Sequence, residues 1–201
     1  QNGQAVSKET TTTAVDSYGN PTTVSVSRQD LDTGSPWSGQ TFQLQTVNLI
    51  TNDAGNNWCL GRPDQTTVTS TPPNSSPLTR TTTATIDHAN CRATDQTVEP
   101  SSTTLKVTTT YGFDICGNVT SEAVVGMAGG TAMATRTTSQ SFGTRCQLPE
   151  SVTNPLGQSG TVTYNYDLGL PATVTDANGL GVSQTWDSFG RTWVTTRPDE
   201  T

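Results

Sequence analysis

Three aspartates stand in one recurring phrase: an aromatic or aliphatic residue, Asp, two residues, Gly, then Asn or Arg. The copies read Val15-Asp16-Ser17-Tyr18-Gly19-Asn20, Phe113-Asp114-Ile115-Cys116-Gly117-Asn118 and Trp186-Asp187-Ser188-Phe189-Gly190-Arg191, with a weaker copy at Tyr166-Asp167-Leu168-Gly169. Carboxylates could act as a general acid/base pair or as Ca²⁺ ligands. Their setting argues otherwise. An Asp bonds its own backbone two residues on, and a Gly three residues later supplies the positive φ of a tight turn. Asp16, Asp114, Asp167 and Asp187 are therefore read as turn locks, and no metal or catalytic role is assigned to them.

The other reactive residues give no stronger chemistry. The sole histidine, His88, lies near Asp87 and Cys91, but a Cys/His nucleophile pair also needs an orienting group and an oxyanion hole. Lys106, in an apolar strand near Glu99, could form an intramolecular Lys–Asn bond, and the simpler reading is a solvated strand lysine. No GxSxG or P-loop pattern occurs. No cofactor is expected and the chain is read as non-enzymatic.

The four cysteines are Cys59, Cys91, Cys116 and Cys146, with no CxxC spacing, which speaks against a four-ligand zinc site. Four cysteines allow three disulfide connectivities. The separations between Cys59 and Cys91 and between Cys116 and Cys146 are nearly equal. If each pair joins equivalent points on neighbouring repeats, these are the bridges; the alternative is four separate buried thiols. An even cysteine count in a lysine-poor chain suggests an oxidising compartment.

The elements that must position these residues are strands. The 201-residue chain is 30% hydrophobic and 13% charged, both below the ordinary globular averages. Threonine fills about a fifth of the positions, and β-branched residues favour strands over disorder. The expected strands are 22–27, 41–50, 66–70, 79–86, 103–111, 131–138, 161–166, 173–175, 182–186 and 191–196. Turn clusters separate them at 18–21, 52–56, 116–118, 154–157 and 176–179. Residues 30–40, with Trp37 packing back onto a sheet, and residues 70–78, with three prolines, read as loops. Residues 121–134 read as a hairpin with a Gly-rich tip. Second turns follow the first ones, at 154–157, 176–179 and Arg197-Pro198-Asp199-Glu200-Thr201. Each repeat is thus about two strands, and no repeat can bury an apolar face alone.

The net charge of −7 and the two lysines, Lys8 and Lys106, make nucleic acid an unfavourable partner. No run of 18 apolar residues exists to span a membrane. Residues 1–13 lack the apolar stretch of a signal peptide, so an export signal would lie upstream or have been removed.

These phrases resemble the YD repeats of bacterial Rhs proteins, a family related to the shells of insecticidal toxin complexes and to animal teneurins. The resemblance rests on residues 111–118, Tyr166-Asp167, Asp176-Ala177-Asn178-Gly179-Leu180, and 186–191 followed by Arg197-Pro198-Asp199. It covers most of residues 1–201 and is clearest over 110–201. It implies an all-β fold: antiparallel hairpins forming an extended, curved or spiralling sheet, a segment of a shell. The family's aromatic before the Gly is replaced here by Cys116, and near 142–148 Phe142-Gly143 and Cys146 stand where it has Tyr-Asp and a Gly; a cross-strand disulfide would explain both departures. The stretch 176–180 is similar to the Asp-Pro-x-Gly-Leu autoproteolytic motif of Rhs cores, but Ala177 replaces the Pro and another repeat follows, so it reads as an ordinary turn. The implied function is a secreted or surface structural segment whose shell encloses or presents a toxin or effector. Its partners would be further repeats of the same polypeptide, or like chains, meeting at open sheet edges. The competing reading is a carbohydrate- or cell-surface-protein-binding module, for which Trp37, Trp58, Trp186 and Trp193 are the aromatics that could stack on sugars.

Overall fold

A computed structural model of the chain describes residues 5–198. It contains fifteen strands and, among the described residues, no helix: β1 Ser7–Val15, β2 Pro21–Asp30, β3 Thr41–Ile50, β4 Pro63–Thr71, β5 Leu78–Asp87, β6 Arg92–Val98, β7 Val107–Phe113, β8 Val119–Ala128, β9 Thr131–Ala132, β10 Arg136–Ser141, β11 Ser151–Thr153, β12 Ser159–Asn165, β13 Leu170–Thr175, β14 Gly181–Trp186 and β15 Thr192–Thr196. Strand order is chain order, with β9 off the path against β8. The fold is an open antiparallel meander, all-β as expected.

The chain divides into two compact units, Gln1–Thr109 with Gly126–Met133 and Thr110–Val125 with Ala134–Thr201. In the first, β1 to β6 pair successively with their neighbours. In the second, β8, β10 and β11 through β15 do the same. A meander returns at alternate ends. Turns after β1, β3 and β5 therefore share one end of the first unit, and turns after β10, β12 and β14 share one end of the second.

Strand limits differ from the sequence expectation where polar composition hides them. β1 and β6, written SKETTTTAV and RATDQTV, carry no apolar alternation. The strand expected over 103–111 begins at Val107, so Lys106 precedes the strand instead of lying in it. The strand expected over 131–138 is broken at 133–135. Its first two residues close the Gly-rich hairpin, pairing Met127 with Ala132 and Ala128 with Thr131. The expected turn at 197–201 lies largely outside the described residues.

Register sorts the side chains, because successive residues face opposite sides. In the first unit, Val26 opposes Leu44 and Arg28 opposes Phe42, while on the other face Ser25 opposes Gln45 and Thr69 opposes Thr79. The second unit repeats the split. Val152 opposes Gly160 and Val162 opposes Val174, while Ser141 opposes Ser151 and Thr161 opposes Thr175. Threonine thus supplies a hydroxyl face opposite an apolar one. Hydroxyl pairs tie the polar face across strands, Thr69 to Thr79 at 3.1 Å, Thr97 to Thr108 at 3.1 Å and Ser141 to Ser151 at 2.7 Å. Such cross-strand pairs contribute about 0.2–1 kcal/mol each.

Among the described residues the apolar face is not packed into a core. Among the described residues Cys59, 1% exposed, is the one buried hydrophobic residue. The accessible surface is 13101 Å². A globular protein of this mass would expose about 9,000 Å², and even two separate globular units of half the mass about 11,000 Å².

With so little burial, local backbone geometry carries much of the fold. Gly19 sits at φ 84° with no atom within 4 Å of a built Cβ. Gly19→Ala is therefore expected to destabilise the first hairpin by about 1–2 kcal/mol through backbone strain alone, and Gly19→Asn by less. Denaturant melts of the two variants check this; equal stability of Gly19→Ala and the parent chain would contradict it.

Candidate functional site

Five turns share one hydrogen-bond pattern. They are 16–20, 114–118, 154–158, 176–180 and 187–191. In each, the first residue and the fifth close the hairpin (Asp16 N–H to Asn20 O is 2.9 Å), and the Gly N–H donates to the first carbonyl at 2.9–3.1 Å. The first side chain then locks the turn. Asp16 Oδ1 accepts from the N–H groups of Tyr18 at 2.8 Å and Asn20 at 2.9 Å. Asp114 takes the same pair from Cys116 and Asn118, and Asp187 from Phe189 and Arg191, all at 2.9 Å. The second oxygen binds the fifth side chain: Asn20 Nδ2 at 3.0 Å, Asn118 Nδ2 at 3.0 Å and Arg191 Nε at 2.6 Å. That is why the phrase ends in Asn or Arg. The glycines Gly19, Gly117 and Gly190 sit at φ 84°, 89° and 74°.

The second turns are the same structure at the opposite end of the meander. Asn154 Oδ1 accepts from Leu156 at 2.9 Å and Gln158 at 3.1 Å, and Asp176 Oδ1 from Asn178 and Leu180 at 2.9 Å. The segment 176–180 is thus an ordinary hairpin turn.

Asp167 is a correction. The lock at this turn is Asn165, whose Oδ1 accepts from the N–H groups of Asp167 at 3.1 Å and Leu168 at 3.3 Å. Asp167 stands where Tyr18 and Phe189 stand in their own turns. Tyr166 does a different job: its hydroxyl donates to Glu150 Oε1 at 2.7 Å, and Arg145 lies over its ring at 4.3 Å. The hydrogen bond to Glu150, with desolvation and the Glu150 charge, raises the Tyr166 pKa. A side-chain amide locks a turn as well as a carboxylate does, so the Tyr-Asp spelling misplaced this one by two residues.

Phe113, Tyr166 and Trp186 are half-buried, Trp186 donating from Nε1 to Pro171 O at 2.8 Å. Tyr18, Ile115 and Phe189, inside the turns, project outward, Phe189 being 82% exposed. Trp37 rests against Phe42 with ring centroids 6.1 Å apart.

Neighbouring turns at one end are stapled together. Cys59 is bonded to Cys91, and Cys116 to Cys146, with Cα–Cα distances of 5.1 and 6.1 Å. Each bridge spans one hairpin unit, which is why the separations, 32 and 30 residues, are nearly alike. Cys116 occupies the turn position of Tyr18 and Phe189, so the bridge replaces an exposed aromatic. Cys91 and Cys146 both adopt positive φ, 51° and 55°. Polar bonds run beside the bridges. Asn118 Nδ2 also reaches Cys146 O at 2.9 Å. In the first unit Asn52 donates to Asp16 Oδ2 at 2.7 Å and accepts from Gly61 N at 2.9 Å. A Cβ on Gly61 would lie 2.6 Å from Asn20 Oδ1. Asn52, Gly61 and Glu150 were not singled out in the sequence, because each acts on groups distant in the chain; Asn165 was passed over because the motif pointed to the Asp two residues on.

Cys91 is oxidised, so His88 has no thiol partner, and His88 lies half-buried in the turn after β5. Glu99 pairs with Arg80 at 3.3 Å. Among the described residues no cluster of three His, Cys, Asp or Glu could hold a metal, and no helix is long and apolar enough to cross a membrane.

Comparison with known proteins gives one kind of match. No family model matches the chain, and no curated protein matches it in sequence. Solved structures do match it in fold, among them three crystal structures. TcdB2-TccC3 without its hypervariable C-terminal region aligns at TM-score 0.62 and 10% identity, over 94% of this chain and 13% of that one. TcdB2-TccC3-Cdc42 aligns at 0.61 and 8%, and TcdB2-TccC3 at 0.59 and 9%, each over 90% of this chain and 13% of the other. The fold is that of a stretch of TcdB2-TccC3. At such identities the likeness is one of architecture, and this chain spans about an eighth of those chains.

Two outcomes follow from the turn chemistry. The hydrogen bond from the Asn20 side chain, with those from the Asn20 and Tyr18 N–H groups and Asn52, outweighs desolvation and holds Asp16 down at about 2. Asp187 and Asp176 are lowered chiefly by the N–H groups of Arg191 and Leu180. In Asp114, desolvation pushes upward and the bonds from Asn118 and Cys116 overcome it. A depressed carboxylate stabilises the fold above its unfolded pKa, near 4, and that contribution is lost as pH falls through the folded value. The melting temperature should therefore drop between pH 4 and about 2, and Asp16→Asn should flatten part of that drop. Reduction of each bridge should cost about 3–4 kcal/mol on the chain-entropy model. Unfolding curves of Cys91→Ser and Cys146→Ser measure this, and unchanged midpoints would refute it.

Proposed function

We propose that the chain is a non-catalytic sheet segment of a secreted or surface Rhs/YD-repeat protein, part of a shell that encloses or presents a toxin or effector. The observation that carries this reading is the missing core: strands with an apolar face and a hydroxyl face, and one buried hydrophobic residue among those described. An enzyme needs a rigid, water-excluding site; this chain invests in turns and staples instead. A wall needs two faces and edges that continue into more wall. β1 is exposed along its whole length, and a bare edge strand invites another strand. The fold match to TcdB2-TccC3 over nearly all of this chain, yet 13% of theirs, supports a part of a larger β assembly. Two disulfides and no free cysteine among the described residues suit life outside the cell.

The test uses the full polypeptide that carries this segment. Electron microscopy should show a closed β-walled cavity, and limited proteolysis should spare any domain inside it until the wall is opened. An open rod with every other domain freely cleaved would remove the shell reading.

A further inference from the structure

Trp58 is held in a way that no packing role explains. Its indole is 70% exposed and its backbone lies at φ 53°, a left-handed conformation unfavourable for a bulky residue. The next residue, Cys59, is buried and bonded to Cys91. Asp53 exchanges both backbone hydrogen bonds with Cys59, each 2.9 Å, and its carboxylate accepts from Asn56 N at 3.1 Å and Asn57 Nδ2 at 2.9 Å. Asn52 clamps the loop base to Gly61 and to Asp16. The loop is thus pinned at its base, and the conformation of Trp58 directs the indole to solvent.

We propose that Trp58, with Asn56 and Asn57, is a binding platform for a neutral, β-linked oligosaccharide. An indole face matches the C–H face of a pyranose ring, as amphipathic aromatics suit partners that are apolar on one side and wet at the edge. The flanking side chains supply hydroxyl recognition. Asn57 gives one Nδ2 hydrogen to Asp53 and keeps the other and its carbonyl, while Asn56 is exposed. A protein hot spot would sit in a well-packed pocket that can be fully desolvated, and here exposed Gly55, Asn56 and Asn57 precede the indole in the chain. Asp53 and the net charge of −7 disfavour a uronate or sulfated sugar. A second aromatic tip, Tyr18, 47% exposed, occupies the next turn at the same end, tied to this loop through Asn52 and Asp16. Two strand spacings, roughly 10 Å, separate successive turns at that end, comparable to a disaccharide step of an extended glycan. The proposal is independent of the shell reading.

Indole emission of the purified chain is to be followed during titration with cellohexaose, with chitohexaose, and with a heparin-derived hexasaccharide as the anionic control. A saturable change with at least one neutral sugar, with a dissociation constant on the order of 1 mM, is the expected result. Trp58→Ala should weaken it by about tenfold or more, a loss of roughly 1.4 kcal/mol, Trp58→Phe should retain part of it, and Trp193→Ala, equally exposed at 76%, should leave it unchanged. Melting temperature and disulfide mapping of each variant separate lost binding from lost fold. No saturation with either neutral sugar, full binding by Trp58→Ala, or equal binding of the heparin fragment would overturn the proposal.

Discussion

The structure depends on one interaction, a side-chain oxygen accepting two backbone N–H groups across a five-residue hairpin turn. Antiparallel strands with no core have little else to set where they reverse. Burial normally penalises a slipped register by moving apolar residues to the wrong face. Here both faces are largely open, so that penalty is weak and turn chemistry must supply it. The Asp or Asn at the first position and the Gly at the fourth form a closed local circuit, which in four of the five turns an Asn, Gln or Arg at the fifth position completes with a side-chain bond. Hairpin after hairpin can then be laid down with the same register.

Local circuits do not hold neighbouring hairpins together, and the second layer of organisation answers that. At one end of each unit, a disulfide spans one hairpin and polar bonds accompany it: Asn52 to Asp16 in the first, Asn118 to Cys146 in the second. The second unit adds Tyr166 to Glu150 and Tyr164 to Pro149. In the second unit the opposite end carries two turns of the same geometry, 154–158 and 176–180, without disulfides. The stapled end is where cysteine replaces the aromatic of the repeat, so covalent links take over from contacts that a thicker protein would make by packing.

The two faces explain the composition. Threonine is β-branched, so it satisfies strand propensity, and its hydroxyl keeps one face wet while pairing across strands. Val24, Val26, Leu44 and Val68 in the first unit, and Val152, Val162, Val174 and Val182 in the second, lie on the other face in matching register, while Val47, Leu49 and Val194 fall on the hydroxyl face. A chain with 30% hydrophobic residues can cover one face of a sheet, though not two. The large exposed area follows from that arithmetic.

Much of this was legible in the residues. Strand content followed from β-branched bias, the locked turns from the Asp-x-x-Gly spacing, and the pairing of the cysteines from separations that match one hairpin. Polar strands such as β1 and β6 were not legible, since register with a neighbour makes them strands where periodicity cannot. Asn165 was missed because an amide and a carboxylate offer the same acceptor, so the Asp of the motif pointed to the wrong residue. The sequence by itself determined local geometry: where the chain turns, which residues face one another within a hairpin, and which cysteines recur at one repeat. Only the tertiary structure decided which turns meet, that the first and second turns lie at opposite ends, and that Trp58 is held out in solvent. Those facts depend on groups far apart in the chain brought together by strand pairing, and no local propensity encodes such distances.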